Sequence, residues 1–155
     1  MLLNLSGAHA PYFSRIVLII TDETGVEGIS EIPCSTSILN LLDQVSEQLR
    51  GANPFRYKSL VASILDEYNH LDVGGRGNQT FDQRTAIHVA TAVEAALLDL
   101  VGKIMGLPVC ELLGKGIQRR SIPFLGYLFF VGDSSSCPMD YRQEIAQPSR
   151  WQANR

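Results

Sequence analysis

The spacing of hydrophobic positions changes character along the chain. A β-branched run from Ile16 to Ile20 is followed by turn-forming residues Thr21 to Gly25. A weaker run from Val26 to Ile32 comes next and ends at Pro33. This pattern predicts a β-hairpin. The period then lengthens: Ile38, Leu41, Leu42, Val45 and Leu49 recur three or four residues apart. They predict an amphipathic helix capped by Ser35 or Ser37, with Gly51 just past its end. Asn53-Pro54 restarts a helix, with Asn as cap and Pro in the first turn. Phe55, Leu60, Val61, Ile64, Leu65 and Tyr68 form its apolar face.

After the loop "VGGRGNQTFDQRT" comes the strongest pattern of all, from Arg84 to Met105. Val89, Ala92, Val93, Ala96, Leu97, Leu100 and Ile104 share one face, and Thr80 or Asp82 is the expected cap. Ala86, Ala90, Ala92, Ala95 and Ala96 make this a thin helix that neighbouring backbones can approach closely, so it belongs at the centre. Gly106 ends it, and Pro108 opens a short helical turn closed by Gly114. Last comes "IPFLGYLFFVGD", where Ile122 to Val131 reads as a strand too apolar for an exposed edge, and then a polar tail. The order of elements is α+β. A two-stranded hairpin alone is marginal, so both the hairpin and the late strand call for further neighbours.

Composition narrows the classes. A chain of 155 residues with 45% hydrophobic and 19% charged positions suits one globular core. A net charge of −3 argues against a nucleic-acid backbone binder, which carries a basic stripe. No stretch has the length of a membrane span. Cys34, Cys110 and Cys137 are odd in number and scattered, which reads as reduced thiols without structural zinc. "MLLNLSGAHA" lacks the basic start of a signal peptide, so a cytoplasmic location is expected. "GGRG" lacks the strand–loop–helix context of a phosphate loop, although the planar fork of Arg76 suits a carboxylate. His70 and His88 have no partners at metal-ligand spacing, and Glu94 and Asp99 are placed too poorly on a helix to form a catalytic pair.

"VEAALLDLVGKIMGLPVCELLG" resembles the end of the capping domain of the enolase superfamily, with its Asp-Leu on the helix, then Gly-x-Pro and Leu-Leu-Gly. "NLSGAHAPYFSR", "GGRGNQTFDQRTAIH" and "LGYLFFVGD" narrow the resemblance to D-glucarate dehydratase and relatives acting on the same kind of acid sugar. The resemblance implies a capping domain over 1–120 (antiparallel sheet, then a three-helix bundle), a first barrel strand over 121–133 and an irregular tail over 134–155. In that family the cap closes over a modified TIM barrel. The barrel carries a Lys-x-Lys motif, a histidine and the carboxylate-type ligands of Mg²⁺. The reaction removes the proton next to a carboxylate of D-glucarate, forms a metal-held enediolate and expels hydroxide, giving 5-dehydro-4-deoxy-D-glucarate.

A TIM barrel takes about 250 residues, and the lysines here, Lys58, Lys103 and Lys115, form no Lys-x-Lys. The family also has a strand before the position of Met1. The expectation is therefore a truncated dehydratase-like chain, inactive alone, that supplies substrate-capping elements. The alternative is a non-catalytic protein that docks on a barrel-bearing chain or binds an acid sugar. Self-association is a further expectation. By resemblance the substrate-contacting residues are Asn4, His9, Thr80 and Tyr127. Each also has a plain structural reading: loop residue for Asn4 and His9, helix cap for Thr80, core residue for Tyr127. No catalytic residue and no metal ligand is assigned to this chain.

Overall fold

The computed structural model describes residues 15–75 and 84–126. By its contacts the chain divides into two units, and every regular element described belongs to the unit Ser14–Ile122. Of the other unit only Pro123–Gly126 are described, and they form no regular structure.

Strand β1 (Arg15–Thr21) and strand β2 (Glu27–Pro33) form an antiparallel hairpin in which Ile19 faces Ile29 and Leu18 faces Ser30. The turn is organised by one side chain. Asp22 Oδ1 accepts from the Thr24 hydroxyl (2.7 Å) and from the backbone N–H groups of Thr24 (2.8 Å) and Val26 (2.9 Å), while Gly25 takes a φ of +86°. Helix α1 (Thr36–Leu49) starts at Ser35, whose hydroxyl accepts from the Ile38 N–H. This decides between the two serines that could cap it. Asn53 caps a 3₁₀ turn (Pro54–Arg56) leading into α2 (Tyr57–Tyr68), and a second 3₁₀ turn (Asn69–Asp72) follows. Helix α3 (Ala86–Met105) ends at Gly106 (φ +65°), and α4 (Val109–Leu112) is a single short turn.

Helix α3 is the spine. Ala86, Val89, Ala92, Val93 and Ala96 are fully buried, and Ile16, Ile32, Ile38, Val45 and Ile64 converge in the same core from the hairpin, α1 and α2. Its small residues let β2 approach closely. A Cβ added at Gly28 would lie 2.6 Å from Leu100 Cβ and 2.7 Å from Leu100 N. Across the same contact the Ser30 hydroxyl donates to the Ala92 carbonyl at 2.7 Å.

The far edge of β2 is also occupied by α3. The Ile29 N–H donates to Asp99 Oδ2 (2.9 Å), and Lys103 Nζ donates to the Glu27 carbonyl (2.7 Å) and to Asp99 Oδ2 (2.8 Å). Backbone groups that point away from the partner strand alternate along an antiparallel pair. The outward-facing groups of β1 are therefore those of Arg15, Val17, Ile19 and Thr21, and no described strand lies beside them.

Several expectations change. Helix α3 begins at Ala86, so neither Thr80 nor Asp82 is its cap. Thr85 occupies the cap position without a side-chain cap bond, and the Asp72 carboxylate does that work instead. Phe55 and Ile104, expected on apolar faces, are exposed. The described part of the late strand, Ile122 to Gly126, is irregular, and Ile122, Phe124 and Leu125 are 73–93% exposed. The rest of it, with Tyr127, falls outside the described residues.

Candidate functional site

The four residues expected to touch substrate, Asn4, His9, Thr80 and Tyr127, lie outside the described residues, as does Arg76. What is described is the frame at one of them. The described residues end at Gly75 on one side of Thr80 and resume at Arg84 on the other, and Asp72 is bonded on both sides. On the first side, the Gly75 N–H donates to the Asp72 carbonyl at 2.8 Å, with Gly75 at φ +61°. On the second, Asp72 Oδ1 accepts the N–H groups of Thr85 (2.6 Å) and Ala86 (3.2 Å), and Oδ2 accepts that of Ile87 (2.9 Å).

The first N–H groups of a helix have no partner within the helix, and the helix dipole favours a negative charge there. One carboxylate thus satisfies three such donors from a position remote in sequence. The Thr85 hydroxyl adds a 3.3 Å bond to Ser37, which ties the start of α3 to that of α1. Sequence reasoning missed Asp72. Its only local signal is an acidic residue directly before "VGG", and local cap rules look within a few positions of a helix start.

The unit Ser14–Ile122 also holds an open groove of about 950 Å³. Its walls are β1 with the hairpin turn on one side and the end of α1 with the 51–55 connection on the other. Leu60, Leu97 and Leu100 contribute apolar surface inside, and Phe55 and Ile104 line it too.

Charge perturbations in the described residues have structural causes. The Thr24 hydroxyl, then the Val26 N–H, hold the Asp22 carboxyl below its ordinary value. Lys103, then the Ile29 N–H, do the same for Asp99. A hydrogen bond to Glu67 pushes the Tyr68 phenol up. All three belong to a turn, a strand edge or a helix end, and none marks an acid–base site. Among the described residues no group of three His, Cys, Asp or Glu could hold a metal ion, so the described residues do not fit magnesium. No described helix is long and apolar enough to cross a membrane.

A hairpin laid on a long, alanine-rich helix, with two further helices completing one core, defines an α+β domain of the enolase-superfamily N-terminal class. Residues 8–114 match the mandelate racemase / muconate lactonizing enzyme N-terminal domain, and the chain belongs to that family. It is 34% identical over 138 residues to a probable glucarate dehydratase of Streptomyces coelicolor, an alignment covering 83% of this chain and 31% of that protein. Among solved structures it is similar to an enolase from Pseudomonas fluorescens Pf0-1 with bound magnesium, potassium and tartrate. The TM-score is 0.68 at 27% identity, covering 97% of this chain and 38% of that one. The chain thus spans roughly a third of the length of these relatives.

Proposed function

We propose that this chain is the capping portion of a glucarate dehydratase-like enzyme and contributes substrate-contacting residues rather than catalytic ones. The observation that carries this reading is the 34% identity to a probable glucarate dehydratase across most of the chain. The tartrate bound by the similar enolase supports an acid sugar as ligand, because tartrate is itself a hydroxylated dicarboxylate. In this reading Asn4, His9, Thr80 and Tyr127 hydrogen-bond the hydroxyl and carboxylate groups of D-glucarate or an epimer. The domain boundaries are those of the sequence: cap over 1–120, first barrel strand over 121–133, tail beyond. By the family resemblance, the acid–base groups and the magnesium that such a dehydration needs belong to the barrel and not to the cap. The isolated chain is inactive, and a cytoplasmic location follows from the same reading.

The test has two arms. Purified chain with glucarate and Mg²⁺ forms no keto acid above a protein-free control; turnover that a substitution in this chain abolishes contradicts the reading. In the second arm the chain replaces the matching segment of the Streptomyces coelicolor relative. Asn4→Ala, His9→Ala, Thr80→Val and Tyr127→Phe are then compared singly. Losing a hydrogen bond to a charged ligand costs roughly 1.5–3 kcal/mol, or about ten- to a hundredfold in kcat/KM. An active chimera in which all four variants stay within about twofold refutes the assignment.

A further inference from the structure

We infer that the β1 edge of the hairpin is a self-pairing surface: two copies of this chain join β1 to β1, antiparallel and centred on Leu18. The inference is independent of the function proposed above. The outward-facing positions of the seven-residue strand, Arg15, Val17, Ile19 and Thr21, are symmetric about Leu18. A two-fold axis at Leu18 therefore sets Arg15 opposite Thr21 of the second copy, and Val17 opposite Ile19 of the second copy. The outward N–H and C=O groups of each strand then face those of the other in hydrogen-bonded pairs. The same positions carry the outer face of the sheet. There Val17 is 58% exposed, Ile19 52% and Ile29, beside Ile19, 46%. Pairing joins them to their counterparts in one β-branched cluster, the kind of cross-strand contact that stabilises a sheet.

Charge decides the direction. Arg15 stands at one end of the edge, with Glu23 and Glu27 at the hairpin-turn end, and all three are exposed. Antiparallel pairing brings Arg15 of each copy to the acidic end of the other, across the small Thr21. The bond from Arg15 to Glu31 uses Nε, and a guanidinium has further N–H donors for a second carboxylate. Parallel pairing would instead set arginine beside arginine and acid beside acid. On its inner side β1 borders the open groove, which leaves space beneath a joining strand.

The experiment uses the full-length chain. Sedimentation velocity from about 5 to about 500 µM, a range that spans micromolar dissociation constants, shows monomer passing to dimer. Ile19→Lys puts a charge opposite Val17 in both halves of the seam and weakens the dimer about tenfold or more. Arg15→Glu weakens it severalfold, and adding Glu27→Arg recovers it. Unfolding midpoints at the lowest concentration, where every chain is a monomer, confirm that the variants fold. Cross-linking with oxidised glutathione reads the register. In Leu18→Cys the two thiols face each other in a non-hydrogen-bonded pair, with Cα atoms about 4.5 Å apart, close enough for a disulfide. In Val17→Cys or Ile19→Cys the matching positions are about 9 Å apart, too far for one. Peptide mapping separates this link from any at Cys34, Cys110 or Cys137. A chain that stays monomeric to the top of the concentration range overturns the inference. So does a dimer that Ile19→Lys leaves intact, which then belongs to another surface such as the exposed stretch 122–125. A link at position 17 or 19 in place of 18 overturns the pairing centred on Leu18.

Discussion

Replacing Gly28 by Ala adds a single methyl group at the closest approach of β2 to α3. The backbone there is not in the left-handed region, so the perturbation is one of space. The new carbon lies 2.6 Å from Leu100 Cβ and 2.7 Å from Leu100 N, and it also meets the Ala96 carbonyl oxygen. Normal carbon–carbon separation starts at about 3.5 Å, so the strand must retreat by roughly 1 Å. The obstacles are backbone atoms and a Cβ, which cannot rotate away.

Overpacking of this kind costs about 1–3 kcal/mol. The retreat also stretches the Ser30–Ala92 bond and the Asp99 and Lys103 bonds to β2, each contributing roughly 0.5–1.5 kcal/mol. The expected total is about 3 kcal/mol, a large part of the ~5–15 kcal/mol that holds a domain together. For a chain of this size it lowers Tm by roughly 6–12 °C. Urea and thermal unfolding of Gly28→Ala beside Gly25→Ala measure it. Gly25 has open space around it but a φ of +86°, so its substitution costs about 1–2 kcal/mol through backbone strain alone. If Gly28→Ala lies within about 0.5 kcal/mol of wild type, the close approach of β2 to α3 is wrong.

Three further outcomes are expected. Ile64→Ala empties a site that is 1% exposed between α2 and the core, and it lowers stability by roughly 2–5 kcal/mol in denaturant titration. Because the folded Asp99 carboxyl is held below its unfolded value of 3.8, its stabilising effect is present above that value and is lost as pH falls through the folded pKa. Wild type and Asp99→Asn should therefore differ in urea midpoint at pH 6 and converge on acidification; a constant gap contradicts the linkage. Replacing exposed Phe124 and Leu125 by Ser should reduce hydrophobic-dye binding and leave the unfolding midpoint unchanged, and a lower midpoint would mean that these side chains pack in solution.

Local chemistry made much of the fold legible. The β-branched run and its turn residues gave the hairpin, Ser35 and the 3–4 spacing gave α1, and the alanines placed α3 at the centre. Periodicity reports which side of a helix a residue faces, not whether anything lies there. Phe55 and Ile104 have the right phase and still stand exposed, because the side they face is an open groove. Long-range polar contacts were invisible for another reason. Asp72 reaches Thr85, and Asp99 reaches Ile29, across separations that no local rule spans. The substrate residues came from motif resemblance and not from spacing, and Asn4, His9, Thr80 and Tyr127 lie outside the described residues.

The seal that Asp99 and Lys103 place on β2 bears on how this protein can associate. Open-ended polymerisation through sheets requires each unit to be bifunctional, accepting a strand on one edge and offering the other. Among the described residues, side chains of the underlying helix already bond the β2 edge at Glu27 and Ile29, which leaves β1 as the edge open to a new strand. Two copies that pair β1 with β1 would turn only their β2 edges outward, and at Glu27 and Ile29 those edges are already bonded, so such pairing ends at two.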